Sequence, residues 1–365
     1  MDNSFIALGL MSGTSLDGID ASIIKSDGQD NLEIIDNKYF TYPIEFKKKL
    51  SLFIEKISKK LDIDKNISTY RSLERELTLY HSRISKDIIN DNNCKIQLVG
   101  FHGQTIIHKP KDGYSIQMGD PNLLSQQLKE KVIYNFRAND IKNNGDGAPM
   151  TPIYHKLLIK KFNLNNPTLI LNIGGISNYT YCFKDIITAK DIGPGNVLID
   201  EYLKKTKGIS YDKNGDIASS GKINEDIINQ FYEHEFYNVE EKHSYDRKEF
   251  DFSFVRGLEF EDAVATLTYF TAIIISKNIK KDFNNKLDII LCGGGRKNLT
   301  LIKHLKKLMN YNIREIDEYN INGDFIESQA FAYLSIRSYL KKIISYPSTT
   351  NVLKPSIGGE IKKNY

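Results

Sequence analysis

Apolar residues crowd both sides of a short polar turn near the start of the chain. Phe5-Ile6-Ala7-Leu8 lead into the stretch Gly9 to Asp20, and Ile19, Ala21, Ile23 and Ile24 lead out of it. Apolar runs broken by Gly, Ser, Thr and Asp predict strand, tight turn, strand. A third strand, Leu32 to Phe40, closes an antiparallel meander. From Glu45 to Asn90 the spacing becomes helical, through Phe46, Leu50, Phe53, Ile54 and Ile57, then Leu73, Leu77, Tyr80, Ile84 and Ile88. Ile96 to Phe101 reads as a short buried strand ended by Gly103, and Ser115 to Ile133 holds a strand, a helix and a return strand.

The pattern restarts near Asn139. Thr168 to Ile173 is a strand that runs into Gly174-Gly175, with Tyr179 to Phe183 as its hairpin partner and Asp191-Ile192-Gly193-Pro194-Gly195-Asn196 after it. Phe260 to Ile279 is a buried helix, Leu287 to Cys292 a strand stopped by Gly293-Gly294-Gly295, and Glu327 to Leu340 a helix. No tandem repeat is evident, but strand-then-glycine occurs at residues 5–18 and again at 168–178. The expected class is α/β with two domains, residues 1–138 plus about 345–365 and residues 139–344.

Composition narrows the function. A chain of 365 residues accommodates two cores, and a net charge of +4 with scattered lysines lacks the basic, aromatic-interleaved stripe of a nucleic-acid binder. Cys94, Cys182 and Cys292 lie far apart, without zinc or dithiol spacing. No apolar run approaches the roughly 20 residues that span a bilayer, and Met1-Asp2-Asn3-Ser4 opens directly into a strand. The expectation is a cytoplasmic protein with no membrane partner.

Four strand-end clusters carry the candidate chemistry: Ser12 to Asp20, Asn172 to Asn178, Asp191 to Asn196, and Cys292 to Asn298. Small-residue turns leave backbone N–H groups open to phosphate oxygens. The first lacks the Gly-Lys-Ser/Thr of a Walker loop, and no helix obviously follows it, so it is a phosphate hairpin of another kind. An Asp at a strand tip beside such turns fits phosphoryl transfer, which rests on positioning and charge handling.

Taken in order, these motifs resemble the anhydro-N-acetylmuramic acid kinase family. The matching residues are Gly9 to Gly18, His102-Gly103-Gln104-Thr105 with His108 and Pro110, Gln117 to Pro121, and Asn135-Phe136-Arg137. Gly145 to Pro149 with His155, Asn172 to Asn178, Asp191 to Asn196, Cys292 to Gly295, and Glu327 with Ala330-Phe331-Ala332 complete the series. The resemblance implies two RNase-H-like domains of the actin, hexokinase and sugar-kinase type, with an interdomain nucleotide cleft. It implies ATP and Mg²⁺ as cofactors, a small anhydro sugar as substrate, and a homodimer.

The reaction so implied joins 1,6-anhydro-N-acetylmuramic acid, ATP and water to give N-acetylmuramic acid 6-phosphate and ADP, in peptidoglycan recycling. Asp191 would be the general base on water. Gly13, Thr14, Ser15, Leu16, Asp17, Gly18, Ile19 and Asp20 would meet the ATP phosphates, and Gly174, Gly175, Gly293 and Gly294 would lie along the nucleotide. Arg137, Glu327, His102 and Gln104 would contact the sugar, and Asp17 or Asp20 would act on Mg²⁺ through water. The chain departs from the family pattern at Asp146, Ile192, Ser244 to Lys248 and Thr350-Asn351-Val352. The other readings are a levoglucosan kinase and a non-catalytic nucleotide-binding relative.

Overall fold

The structure, a computed structural model, describes residues 4–13, 15–164, 166–233, 250–283 and 287–365. The chain forms two compact units, Met1–Asn163 with Phe325–Tyr365, and Leu164–Asp324.

The first unit opens with the expected meander: β1 (Phe5–Ser12), β2 (Gly18–Ser26) and β3 (Leu32–Thr41). Helices α1 (Ile44–Lys56), α2 (Lys60–Lys65) and α3 (Ile67–Asn92) follow, and the periodic residues Phe46, Leu50, Phe53, Leu73, Leu77, Ile84 and Ile88 are all buried in one core with Leu8, Leu10 and Ile23. Then come β4 (Leu98–Lys109), β5 (Tyr114–Met118), α4 (Pro121–Leu128), β6 (Lys131–Tyr134), α5 (Ala138–Lys142) and α6 (Pro152–Lys161). The start of α4 is set locally: Pro121 fixes its first turn, and the Asp120 carboxylate accepts from the Asn122 and Leu123 amides.

Strand β4 does not stop at Gly103 as expected but runs on to Lys109. Gly103 instead adopts φ +72° where the parallel register between β1 and β4 slips, Leu10 facing Phe101 but Ser12 facing Gln104. A glycine there permits an irregularity within the strand rather than an end to it.

The second unit holds β7 (Thr168–Ile173), β8 (Ile176–Phe183), β9 (Ile186–Pro194), α7 (Val197–Lys207), α8 (Asp216–Ser220), α9 (Glu225–Glu233), α10 (Phe260–Asp282), β10 (Asp288–Cys292), α11 (Leu299–Leu308) and β11 (Asn312–Glu315). The chain then returns to the first unit as α12 (Ile326–Tyr339), α13 (Pro347–Thr350) and β12 (Glu360–Lys362). Strands β7 and β10 are apolar along almost their whole length because they are central, parallel and covered on both faces.

The two sheets repeat one plan. The second unit orders its five strands β11-β10-β7-β8-β9, an antiparallel meander with two parallel strands added beside its first member. The seven-stranded sheet of the first unit reads β12-β6-β4-β1-β2-β3, with β5 off the path, and its β1–β3 meander and parallel β4 and β6 repeat that order. This is the RNase-H-like arrangement within an α/β class. The units divide after Asn163 and after Asp324, where the sequence pattern suggested 138 and 344. Helix α12 explains the earlier return: it lies against β1 and β4 at Gly9 and Gly100, and Gln329 accepts from the buried Tyr154 hydroxyl of α6 at 2.8 Å. Among the described residues no helix is long and apolar enough to cross a membrane.

Candidate functional site

In the first unit the hairpin between β1 and β2 is braced from below. Ser12 is buried, and its hydroxyl lies 2.8 Å from the Tyr42 hydroxyl and 2.6 Å from Gln104 Oε1. Gln104 Oε1 can only accept, so Ser12 donates to it and Tyr42 donates to Ser12. The Tyr42 amide also donates to the Asp17 carbonyl at 2.9 Å, so one residue ties both ends of the turn. Burial, and to a lesser extent nearby Tyr39 and Asp20, push the Tyr42 phenol well above its ordinary pKa, and it remains a donor.

The residues of the hairpin divide by what they expose. Gly13 and Ser15 lie at the open tip, while Leu16 turns inward at φ +59°. Gly18 serves packing: a Cβ there would stand 2.1 Å from the Phe40 carbonyl oxygen. Ile19 is wholly in the core, so it can offer a phosphate only its backbone. Asp17 is exposed and ion-paired with Lys47 of α1, and Asp20 sits half-buried in β2 opposite Met11 and Tyr39. Thr14 lies outside the described residues, as does the segment Ser244 to Lys248.

Arg137, His102 and Glu327 come together elsewhere in the same unit. The Arg137 guanidinium donates to His102 Nε2 (3.0 Å from Nη2) and to the Gly147 carbonyl at 2.7 Å. The His102 Nδ1–H is directed at the Gly103 carbonyl at 2.8 Å, which assigns the neutral tautomer with Nε2 as acceptor. Burial first, then the charge of Arg137, hold the His102 pKa well below the imidazole range. Burial lowers Arg137 to about 10, opposed by the charges of Glu327 and Asp140.

Glu327 stands in the first turn of α12, reached by solvent but ringed by enough protein that lost hydration raises its pKa, while Arg137 pulls it down. No ion pair joins Arg137 and Glu327 among the described residues, but each charge acts on the other's pKa. Gln104 is not part of this group. It is fully buried, with Oε1 engaged by Ser12 and Nε2 directed at the Thr105 carbonyl.

The loop that carries Gly147 is held by Asp140, Asp146, Thr350 and Asn351. The Asn351 Nδ2 donates to Asp146 Oδ2 at 2.6 Å, and the Asp146 amide donates to the Thr350 carbonyl at 2.6 Å. Asp140 accepts from Thr350 Oγ1 and from the Gly147 amide, each at 2.7 Å. Asp146 and Asn351 therefore form a matched pair that fastens the loop to the C-terminal segment.

In the second unit three glycine turns converge at one end of the sheet. The Asn196 amide donates to the Gly174 carbonyl at 2.8 Å and the Gly195 amide to the Gly175 carbonyl at 2.9 Å. Gly293, at φ +77°, approaches Asn172 and Ile173 so closely that a Cβ would lie 2.2 Å from Asn172 Oδ1. Gly294 has open space where its Cβ would be, which leaves its backbone free to meet a ligand. Asp191, half-buried, lies on β9 just before a β-bulge. Arg296 anchors the third turn: its buried guanidinium binds Asp317 at 2.6 Å and Asp324 at 2.6 Å. Burial opposes its charge, but the two carboxylates outweigh that and raise its pKa.

The glycine motifs, Asp191, Arg137, His102 and Glu327 thus fall into three local groups, two in the first unit and one in the second. Tyr42 and Lys47 were not anticipated, and each reaches its partner from outside any motif; Arg296 lies within the Cys292 to Asn298 cluster, but its carboxylate partners Asp317 and Asp324 do not. Asn278 also escaped notice, although an amide among Ile274, Ile275 and Ile279 was a visible anomaly in an apolar helix.

The family model described as anhydro-N-acetylmuramic acid kinase matches residues 5–364. A protein of that name from Pelagibacter ubique is 50% identical over 376 aligned positions covering 100% of both chains. Another from Zymomonas mobilis is 36% identical, covering 98% of this chain and 99% of its own. The chain belongs to the anhydro-N-acetylmuramic acid kinase family.

Proposed function

We propose that the protein is an ATP-dependent kinase that opens the 1,6-anhydro bridge of 1,6-anhydro-N-acetylmuramic acid and phosphorylates O6. The products are N-acetylmuramic acid 6-phosphate and ADP, and the role is recycling of peptidoglycan sugars in the cytoplasm. The observation that carries this reading is the family match across residues 5–364.

The substrate has no free 6-hydroxyl, because O6 is bonded to the anomeric carbon. Water attacks that carbon, the C1–O6 bond breaks, and O6 takes the γ-phosphoryl group from ATP. The Asp191 carboxylate removes the proton from the attacking water. The hairpin at Gly13 to Asp20 and the turns at Gly174-Gly175 and Gly293-Gly294 bind nucleotide through backbone N–H groups and close approach. Arg137 and Glu327 recognise the sugar, with His102 fixing the orientation of Arg137.

The donor set suits Mg²⁺ carried by ATP itself. Among the described residues no cluster of three His, Cys, Asp or Glu side chains could hold a metal alone, and Asp17 and Asp20 flank the phosphate hairpin. When bound, Mg²⁺ would neutralise phosphate charge, with either carboxylate reaching it through water.

The test is ADP release on adding 1,6-anhydro-N-acetylmuramic acid, levoglucosan or N-acetylmuramic acid, with Asp191→Asn alongside. Release confined to the first sugar, and reduced roughly 10³-fold in the variant, is the expected result. A preference for levoglucosan would move the protein to another substrate. ATP binding with no sugar-stimulated release would overturn the kinase reading in favour of a non-catalytic nucleotide-binding relative.

A further inference from the structure

The strand that carries Asp191 is irregular at that point. Ser177 of β8 faces Gly193, but the next residue, Asn178, faces Asp191, so β9 advances two residues where β8 advances one. Ile192 is the extra residue. A bulge of this kind re-aims the side chain beside it and leaves backbone groups without ladder partners.

Helix α10 receives what the bulge releases. The Asn278 Nδ2 group donates to the Ile192 carbonyl at 3.1 Å and to the Ile274 carbonyl of its own helix at 3.0 Å. Both amide protons are thereby engaged, and the side chain is buried. The Ile192 side chain enters the core shared with Ala272, Ile275 and Ile279 of the same helix. Gly193, at φ +123°, packs so tightly that a Cβ there would lie 2.6 Å from Ile274 Cγ2. One helix therefore grips the two residues after Asp191 by carbonyl, side chain and backbone surface.

We infer that Asn278 is a positioning residue for the catalytic carboxylate, fixing the bulge at Ile192 and through it the direction of Asp191. This rests on the reading of Asp191 as general base. The peptide between Ile192 and Gly193 sets how the strand leaves Asp191. A buried carbonyl without a donor would rotate that peptide toward another partner. Asn278 touches no reacting atom. Its effect is on the placement of the base, a placement to which rate is steeply sensitive.

The experiment compares the full-length protein with Asn278→Leu, Asp191→Asn and Thr271→Val, measuring kcat and both KM values. Thr271 is buried in the same helix and its hydroxyl has no hydrogen-bond partner among the described residues, so its replacement controls for general loosening of α10. The expected result is a kcat about 30-fold lower in Asn278→Leu, within the ~10²-fold that a 1 Å misplacement costs, with unchanged KM values. Thr271→Val keeps wild-type kcat.

If Asn278→Leu does not fold, Asn278→Ser gives the same readout, because it withdraws the amide without adding apolar bulk. An unchanged kcat in a folded Asn278 variant, with Asp191→Asn inactive, overturns this inference and leaves the base assignment standing. An equal loss in Thr271→Val, or a loss confined to KM, overturns it as well. Full activity in Asp191→Asn overturns the base assignment beneath it.

Discussion

A hydroxyl can accept and donate at once, and Ser12 does both in a place closed to water. Tyr42 donates to it and it donates to Gln104, a directed chain whose members polarise one another. Ser12→Ala strands two buried polar groups rather than one, so a loss of about 2 kcal/mol in urea denaturation is expected. Tyr42→Phe leaves the Ser12–Gln104 bond intact and costs about 1 kcal/mol. Because the chain underlies the hairpin, the KM for ATP rises more than that for sugar in Ser12→Ala. Equal rises would show that the network does not serve the nucleotide. Histidines give the second prediction at this scale. Burial holds His81 at about 4, His108 at about 4 and His155 at about 3. Unfolded imidazoles protonate near 6.5, so between that pH and about 4 the unfolded chain binds more protons. Stability is therefore full above about pH 6.5 and falls on acidification, by up to about 1.4 kcal/mol per pH unit for each group. Urea midpoints at pH 7 and pH 5 measure it, and His81→Leu flattens the slope. Identical midpoints would refute the buried, neutral state. These residues mark a limit of sequence reading. Gly13, Gly174 and Gly293 are legible because a turn is a local event, whereas Tyr42 finds Ser12 only once β3 has folded onto β2 and β2 onto β1.

At the scale of elements, close approach is the organising feature. Helix α12 lies so near its sheet that a Cβ on Gly9 would fall 1.9 Å from the Ser328 carbonyl oxygen, and one on Gly100 2.2 Å from that of Phe331. These contacts are with helix backbone, which cannot rotate away, so Gly9→Ala and Gly100→Ala should each cost about 3 kcal/mol or more. The helix carries Glu327 in its first turn, so the variants that still fold should show a raised sugar KM. A loss under about 1 kcal/mol in both would mean that helix and sheet are not in contact as described. Arg296 ties the third glycine turn to Asp317 and Asp324, and Gly323 packs on its guanidinium. Arg296→Ala should destabilise by about 2–3 kcal/mol, toward the lower side because both aspartates are partly solvated. Salt that leaves this loss unchanged would argue for lost packing over lost charge. The strands β1, β2, β3, β7 and β10 were readable from apolar runs. Gly103 was misread as a stop because glycine also marks a bulge, and the two are told apart only by the partner strand.

For the whole molecule, the echo of strand and glycine at residues 5–18 and 168–178 reports a repeated sheet order. That much of the architecture was visible, because each hairpin is written in a short segment. The unit boundaries were displaced because α5, α6 and α12 show their apolar faces in the sequence but not the sheet each covers. The two units consequently differ in how their cores are assembled. Leu164–Asp324 is one continuous segment with clusters built from its own strands and helices, among them Leu169, Leu171, Ile289 and Leu291 with Ile275 and Leu301. The first unit needs Phe325–Tyr365 to return, bringing α12 onto β1 and β4 and β12 onto β6. Residues 164–324 made alone should therefore unfold cooperatively in urea and protect the amides of β7 and β10 from exchange. Residues 1–163 made alone lack the helix that covers Gly9 and Gly100, leaving one face of the sheet apolar and bare. They should bind a hydrophobic dye, melt without a sharp transition, and regain protection in β1 and β4 when residues 325–365 are supplied through a flexible linker. A cooperative, dye-free melt for 1–163 would show that α12 is an addition to a finished core. Failure of 164–324 to protect β7 would show that its core is completed elsewhere in the chain.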